Sequence, residues 1–267
     1  MFSKYVVFAI LLLFFFSCAK KKSTPTFEVI GHGACGLKFQ GSLHHDNSKE
    51  AVSWALDLYG SNGVEIDIQC SLDTTIWLYH DVDLNTETNR SGCIMSMTDT
   101  EIEGAKYANQ ERVARLDQLA LMNYPNHFFY LDVRHLNFCT SQIIDVQRML
   151  TALQKVPDVQ LHANVYFVLS NPAWIPAFQN AGLKVIFSAE TNQEAQAINS
   201  SYILDGFCFK NGQITREEVL KWKQNSKKVL IFDVRSPLEM ESAAKKQPDA
   251  MISDDLYGAI IEKYGKK

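Results

Sequence analysis

Short apolar runs alternate with amphipathic stretches along most of this chain. The strand-like runs are FEVIGH (27–32), VEIDIQ (64–69), TIWLYH (75–80), FFYLDV (128–133), VYFVLS (165–170), KVIFSA (184–189), GFCFK (206–210), KVLIFDV (228–234) and AMISD (250–254). Between them lie helical patterns such as SKEAVSWALDLYG, SQIIDVQRMLTALQK, NPAWIPAFQNAG, REEVLKWKQN and PLEMESAAKKQ. Strands alternating with helices in this way predict a parallel sheet wrapped by helices. A (β/α)8 barrel has eight strand positions, one fewer than the runs. The surplus is TIWLYH. Only CSLDT separates it from VEIDIQ, and a parallel crossover needs about a dozen residues. The two are therefore expected as an antiparallel hairpin (about 64–80) rising over the C-terminal rim of an α/β TIM barrel.

The hairpin brings polar residues together. With its turn centred between Leu72 and Asp73, Glu65 falls opposite His80 and Asp67 opposite Leu78. Residues two apart on a strand share a face, so Glu65, Asp67 and His80 are expected on one side. Other polar residues interrupt strand ends: His32 closes the first run, and Asp132 and Arg134 close FFYLDVR. In a barrel the strand C-termini share the rim where active sites form.

Buried carboxylates are costly unless paired or bound to a cation. Glu65, Asp67 and Asp132 offer oxygen only, the donor set of Ca²⁺ or Mg²⁺. Two histidines, His32 and His80, titrate near neutrality and suit a general acid and base. Arg134 offers a fork matched to phosphate oxygens. Taken singly, each residue also has a plain reading. His32 could be structural, Glu65 and Asp67 could face outward from a half-solvated strand, and Asp132 with Arg134 could be a rim salt bridge. His44 and His45 read as loop residues near the mouth, and Asn47 or Ser48 as the cap of the first helix. The long connection 82–115 is a candidate lid or collar, with Met95, Met97 and Tyr107 lining it or packing it down.

Composition adds an address and some exclusions. An unbroken apolar run from Tyr5 to Phe16 follows Lys4 and ends at Ser17-Cys18. It is too short to span a bilayer comfortably but suits a signal h-region. It resembles a bacterial lipoprotein signal peptide. That implies a signal over 1–17, lipidation of Cys18, a polar tether over 18–26 and a single domain over 27–267. The chain would then be exported and lipid-anchored to the cell envelope. The net charge of −4, with no basic stripe, argues against nucleic-acid binding. No protein partner is indicated. Cys35, Cys70, Cys93, Cys139 and Cys208 lack zinc-site spacing. Export permits disulfides, but the spacing assigns none, and most read as small buried hydrophobes.

The motifs together resemble the glycerophosphodiester phosphodiesterase family. His32-Gly33-Ala34 stands where that family has His-Arg-Gly, and Asp46-Asn47-Ser48 where it has a Glu-Asn-Thr-like motif. Glu65-Ile66-Asp67 and His80-Asp81 match its Glu-x-Asp and His-Asp. Asp132-Val133-Arg134 stands for Glu-x-Lys, and Met251-Ile252-Ser253-Asp254 for the terminal strand. The likeness implies His32 and His80 as the acid–base pair and Glu65, Asp67 and Asp132 as ligands of a divalent cation. Arg134 and Asn47 would contact phosphate. The implied reaction is hydrolysis of a small glycerophosphodiester to glycerol 3-phosphate and an alcohol. The departures are Gly33 in place of an arginine that usually contacts phosphate, Asp132 for Glu, Arg134 for Lys, and Phe232 in the place of a tryptophan. Two alternatives stay open. One is a phospholipase C- or D-like enzyme acting on intact lipid headgroups; the other is a catalytically weakened binding lipoprotein.

Overall fold

A computed structural model describes residues 26–37 and 41–265. The expected signal segment, Cys18 and nearly all of the tether lie outside the described residues. In chain order the strands are β1 (Glu28–Gly31), β2 (Gly63–Cys70), β3 (Ile76–Leu78), β4 (Ala114–Arg115), β5 (Phe128–Val133), β6 (Leu136–Asn137) and β7 (Gln142–Ile143). They continue as β8 (Val165–Leu169), β9 (Val185–Ser188), β10 (Gly206–Lys210), β11 (Lys228–Val234) and β12 (Ala250–Ser253). Strands β1, β2, β5 and β8–β12 run parallel, and β1 pairs with both β12 and β2, so the sheet closes into an eight-stranded barrel. Helices follow most barrel strands, as expected for a TIM barrel. Among the described residues, no helix is long and apolar enough to cross a membrane.

Alternation along the strands sorts the core into two layers. Ile30, Tyr130, Val168, Ile186, Cys208, Leu230, Ala250 and Ile252 fill the barrel interior. Val29, Val64, Ile66, Phe129, Leu131, Phe167 and Phe187 face outward, under the helices. The outward reading of Glu65 and Asp67 is thereby excluded: they alternate with Val64, Ile66 and Ile68, and both faces of β2 are buried. The helices are held by local chemistry as well as by packing. Ser48, not Asn47, caps Lys49–Asp57, its Oγ accepting the Ala51 N–H at 3.0 Å. Thr215 and Glu218 form a reciprocal capping box on Arg216–Gln224.

The hairpin forms, but its register differs from expectation by one residue. Cys70 pairs with Ile76, Gln69 with Trp77 and Ile68 with Leu78. The turn therefore centres on Asp73. The reason is an odd-numbered loop: the Ser71 N–H donates to the Thr75 carbonyl, and Thr74 takes a left-handed conformation (φ 57°). Glu65 is thus not paired with His80.

The 82–115 connection is an ordered collar rather than an open lid. It packs Leu84, Ile94, Ile102, Ala105, Tyr107 and Val113 against Trp77 and Tyr79, forming a small core of its own. Met95 and Tyr107 are buried, and Met97 packs against this core. β4 closes the collar by pairing antiparallel with β3. A Cys93–Cys139 disulfide ties the collar to the segment holding the β6–β7 hairpin. Cys35, Cys70 and Cys208 are buried thiols.

Candidate active site

A cavity of about 690 Å³ opens at the C-terminal rim, lined on one side by His32, Glu65, His80, Asp132 and Arg134. Five of the residues singled out in the sequence therefore meet in one place. His80 reaches the cavity despite the shifted register. β3 ends at Leu78, and the last ladder bond runs from the Tyr79 N–H to the Asp67 carbonyl. Beyond it, strand alternation no longer dictates where His80 points.

The carboxylates are crowded. One oxygen from each of Glu65, Asp67 and Asp132 lies within 4.8 Å of the others. Burial and the neighbouring Asp67 charge push the Glu65 carboxyl up to about 8. Burial also raises Asp132, against the pull of Arg134. Asp67 shifts the other way. Burial opposes its charge, but the Arg134 guanidinium and the two imidazoles outweigh that and hold it below the usual carboxylate range. Arg134 donates to Asp67 Oδ1 from Nε at 2.9 Å and also from Nη2, with Asp132 Oδ2 3.6 Å from Nη2. Three crowded carboxyl groups thus share one guanidinium, with the His32 imidazole beside Glu65. An all-oxygen donor set crowded in this way fits a hard divalent cation.

His32 is fixed from two sides. Its Nδ1 lies 2.7 Å from Asp254 Oδ1, and its Nε2 lies 3.8 Å from Glu65 Oε2. Burial works against a charged imidazole here, but the Asp254 hydrogen bond and the Glu65 charge prevail, pushing it up to about 9. His80 is oriented by its neighbour, with Nδ1 2.8 Å from Asp81 Oδ1. In both rings the Nδ1 contact leaves Nε2 as the atom to exchange a proton.

Asn47 does not contact the cavity as expected. Its side chain is fully buried and grips Asp67, donating to Oδ2 and accepting the Asp67 backbone N–H, both at 2.9 Å. It holds a carboxylate in place through a left-handed backbone (φ 57°). Gly33 is also left-handed (φ 53°). A Cβ there would fall 2.9 Å from Asp46 Cβ, and its N–H donates to Glu65 Oε2 at 2.9 Å. His44 and His45 stand apart from the cavity. His44 Nδ1 lies 2.7 Å from Glu111 Oε1, and His45 stacks on Tyr107.

Sequence reasoning passed over three features. Asp254 orients His32, a role that the family-like stretch ending in Asp254 did not disclose. Leu136 and Phe138, on and beside the β6–β7 hairpin, line the cavity, while no residue of the collar does. Lys210, Asp233 and Arg235, from the ends of β10 and β11, complete the lining beside Phe232, the residue already noted in the place of a tryptophan.

Residues 39–164 match the model of the Glycerophosphoryl diester phosphodiesterase family. No curated protein matches the chain. Solved structures share its fold at low identity. One is an Agrobacterium tumefaciens protein described as a glycerophosphoryl diester phosphodiesterase. Its TM-score is 0.75 at 13% identity, covering 90% of this chain and 98% of that one. Another is a phosphodiesterase of Oleispira antarctica, solved with its product sn-glycerol-3-phosphate (TM-score 0.71, 16% identity, 88% and 96% coverage). A third is a glycerophosphodiester phosphodiesterase of Parabacteroides distasonis (TM-score 0.70, 16% identity, 91% and 100% coverage). The resemblance carried by His32, Glu65-x-Asp67 and His80-Asp81 is borne out: residues 39–164 match the Glycerophosphoryl diester phosphodiesterase family, and the barrel is the fold of solved proteins bearing that name.

Proposed function

We propose that this protein hydrolyses glycerophosphodiesters to glycerol 3-phosphate and an alcohol, using a divalent cation, Ca²⁺ or Mg²⁺, and the His32–His80 pair. The observation that carries this reading is the convergence of two oriented imidazoles and three crowded carboxylates on one rim cavity. Glu65, Asp67 and Asp132 would hold the cation, which would supply Lewis-acid stabilisation of phosphoryl charge. One imidazole takes a proton from the attacking hydroxyl, and the other returns one to the leaving oxygen. If the substrate's own glycerol hydroxyl attacks first, the alcohol leaves with that proton and a cyclic phosphate forms. Water then opens it with the two roles exchanged. Asp254 and Asp81 keep the imidazoles aimed, and Asn47 and Arg134 keep Asp67 in place.

The test is release of glycerol 3-phosphate from glycerophosphocholine and glycerophosphoethanolamine with Ca²⁺ or Mg²⁺, against His32→Ala. Cation-dependent product above that control supports the reading, and none across several headgroups refutes it. A second reading, action on intact lipid headgroups, draws support from Phe138, which lines the cavity yet stands 58% exposed, on a hairpin that also exposes Ile143. Faster turnover of lysophospholipid in vesicles than of glycerophosphocholine would favour it. The apolar run 5–16 before Cys18 supports export and lipid anchoring. Cys18→Ala should then move the chain from the membrane to the soluble fraction.

A further inference from the structure

Besides Arg134 and the histidines, two cationic side chains line the cavity, Lys210 and Arg235. They are held very differently. Lys210 Nζ lies 3.6 Å from Glu190, a carboxylate 76% exposed. Arg235 is anchored to a buried one. Its Nε donates to Asp254 Oδ2 at 3.0 Å, while Asp254 Oδ1 lies 2.7 Å from His32 Nδ1. Its Nη2 lies 3.2 Å from Asp233 Oδ1, and its backbone N–H donates to Glu239 Oε2 at 2.9 Å. These side-chain contacts engage two of the five N–H donors of a guanidinium. The plane of the fork is fixed against the same carboxylate that aims His32, and the side chain is still 64% exposed. A fork fixed in advance loses less freedom on binding an anion than a lysine that must be ordered.

The rest of the cavity makes such a fork necessary. Gly33, directly after His32, has no side chain, and its N–H is spent on Glu65. Arg134 is turned toward Asp67 and Asp132. Phosphoryl oxygens entering beside His32 therefore meet no guanidinium or ammonium from β1 or from Gly33 after it. Two strands away on the same rim, past the end of β11, Arg235 faces them. We propose that Arg235 binds the non-bridging phosphate oxygens of the substrate from the His32 side, with a guanidinium fork that β1 does not provide in this chain. This rests on the phosphodiesterase reading above, and the test separates the two.

The experiment compares wild type, Arg235→Ala, Arg235→Lys and Lys210→Ala. It measures calorimetric binding of glycerol 3-phosphate and of inorganic phosphate, and steady-state kinetics on glycerophosphocholine with saturating cation. Arg235→Ala should weaken both anions and raise KM by about tenfold or more, the scale of one charge-assisted contact. Its kcat should change by less than about threefold. Arg235→Lys should fall between, and Lys210→Ala should stay near wild type. A folded Arg235→Ala that binds both anions as tightly as wild type overturns the proposal. So does a fall in kcat with KM and anion binding unchanged, because Arg235 would then act only through Asp254 on His32. Wild type that binds phosphate but turns over no diester sinks the enzyme reading, while the binding series still decides Arg235. Wild type that binds neither anion overturns the Arg235 proposal itself.

Discussion

The two ends of the barrel handle buried charge in opposite ways. At the N-terminal end Glu28 meets Lys228 at 3.1 Å and accepts the Tyr130 hydroxyl at 3.0 Å. The Lys228 ammonium also lies 4.0 Å from the centre of the Phe128 ring. One anion has one cation, with aromatic faces around them. At the C-terminal end Glu65, Asp67 and Asp132 share Arg134, and burial with the Asp67 charge pushes the Glu65 carboxyl up to about 8. Burial raises the Glu28 carboxyl too, although Lys228 pulls it back. A shifted carboxylate is therefore not by itself a mark of function. What distinguishes the ends is balance: the lower carboxylate has a cation of its own, and the three upper carboxyls crowd one another around a shared one.

The largest expected effect breaks that symmetry through activity. His32→Ala and His80→Ala should each lower kcat by about 10²–10⁴, the range of general acid–base catalysis. Chelation should abolish activity, and Ca²⁺ or Mg²⁺ should restore it. Lys228→Met at the other end should leave kcat within about twofold. Equal losses from changes at both ends would refute the contrast.

Stability should respond with opposite signs. Lys228→Met strands the Glu28 carboxylate and should cost about 1–3 kcal/mol in denaturant titrations. Glu65→Gln removes a carboxyl whose ionisation burial and Asp67 oppose, and keeps an oxygen for the Gly33 N–H. It should stabilise the cation-free protein by about 1–3 kcal/mol while destroying activity. The pH dependence follows from the same crowding. His32 (about 9) and Glu65 (about 8) both have folded values above their unfolded ones, near 6.5 and 4.3. Each contributes stability that is fully present below its unfolded value and is lost as pH rises through its folded value. Thermal scans of the cation-free protein should show Tm falling between about pH 5 and pH 9, and saturating cation should flatten the slope. A Tm that rises over that window would contradict the assignment.

Most of the upper site was legible because its residues break strand patterns close to their neighbours in sequence. Glu65 and Asp67 alternate with Val64, Ile66 and Ile68, and His80 follows a run too near β2 to cross over. The hairpin register was not legible, since it depended on whether the loop held an even or odd number of residues. The position of His80 survived that error only because the ladder stops at Tyr79. Asp254 was hidden for another reason: it lies 222 residues from His32, and only barrel closure through the β1–β12 pairing brings them together. Asn47 illustrates a third limit. Its resemblance to a phosphate-contacting position said nothing of the fully buried amide that Asp67 occupies on both sides.

The smallest effect tests whether balance or location matters more, because Asp99 is a satisfied carboxylate at the upper end. It accepts the Ser71 hydroxyl at 2.6 Å, the Thr75 hydroxyl at 2.5 Å and the Trp77 indole N–H at 3.0 Å, stapling the collar to the hairpin loop. Its slight burial opposes ionisation, yet those three donors hold its carboxyl below the usual range. Asp99→Ala should cost about 1–2 kcal/mol and leave kcat and cation affinity unchanged, the behaviour of the lower end transplanted above the rim. Its folded value is depressed. Its contribution should therefore be present above the unfolded value near 3.9 and fade as pH falls through the folded one, a trend opposite to that of His32 and Glu65. A loss of kcat comparable to that of His32→Ala would mean that closeness to the rim, not unbalanced charge, marks the functional end.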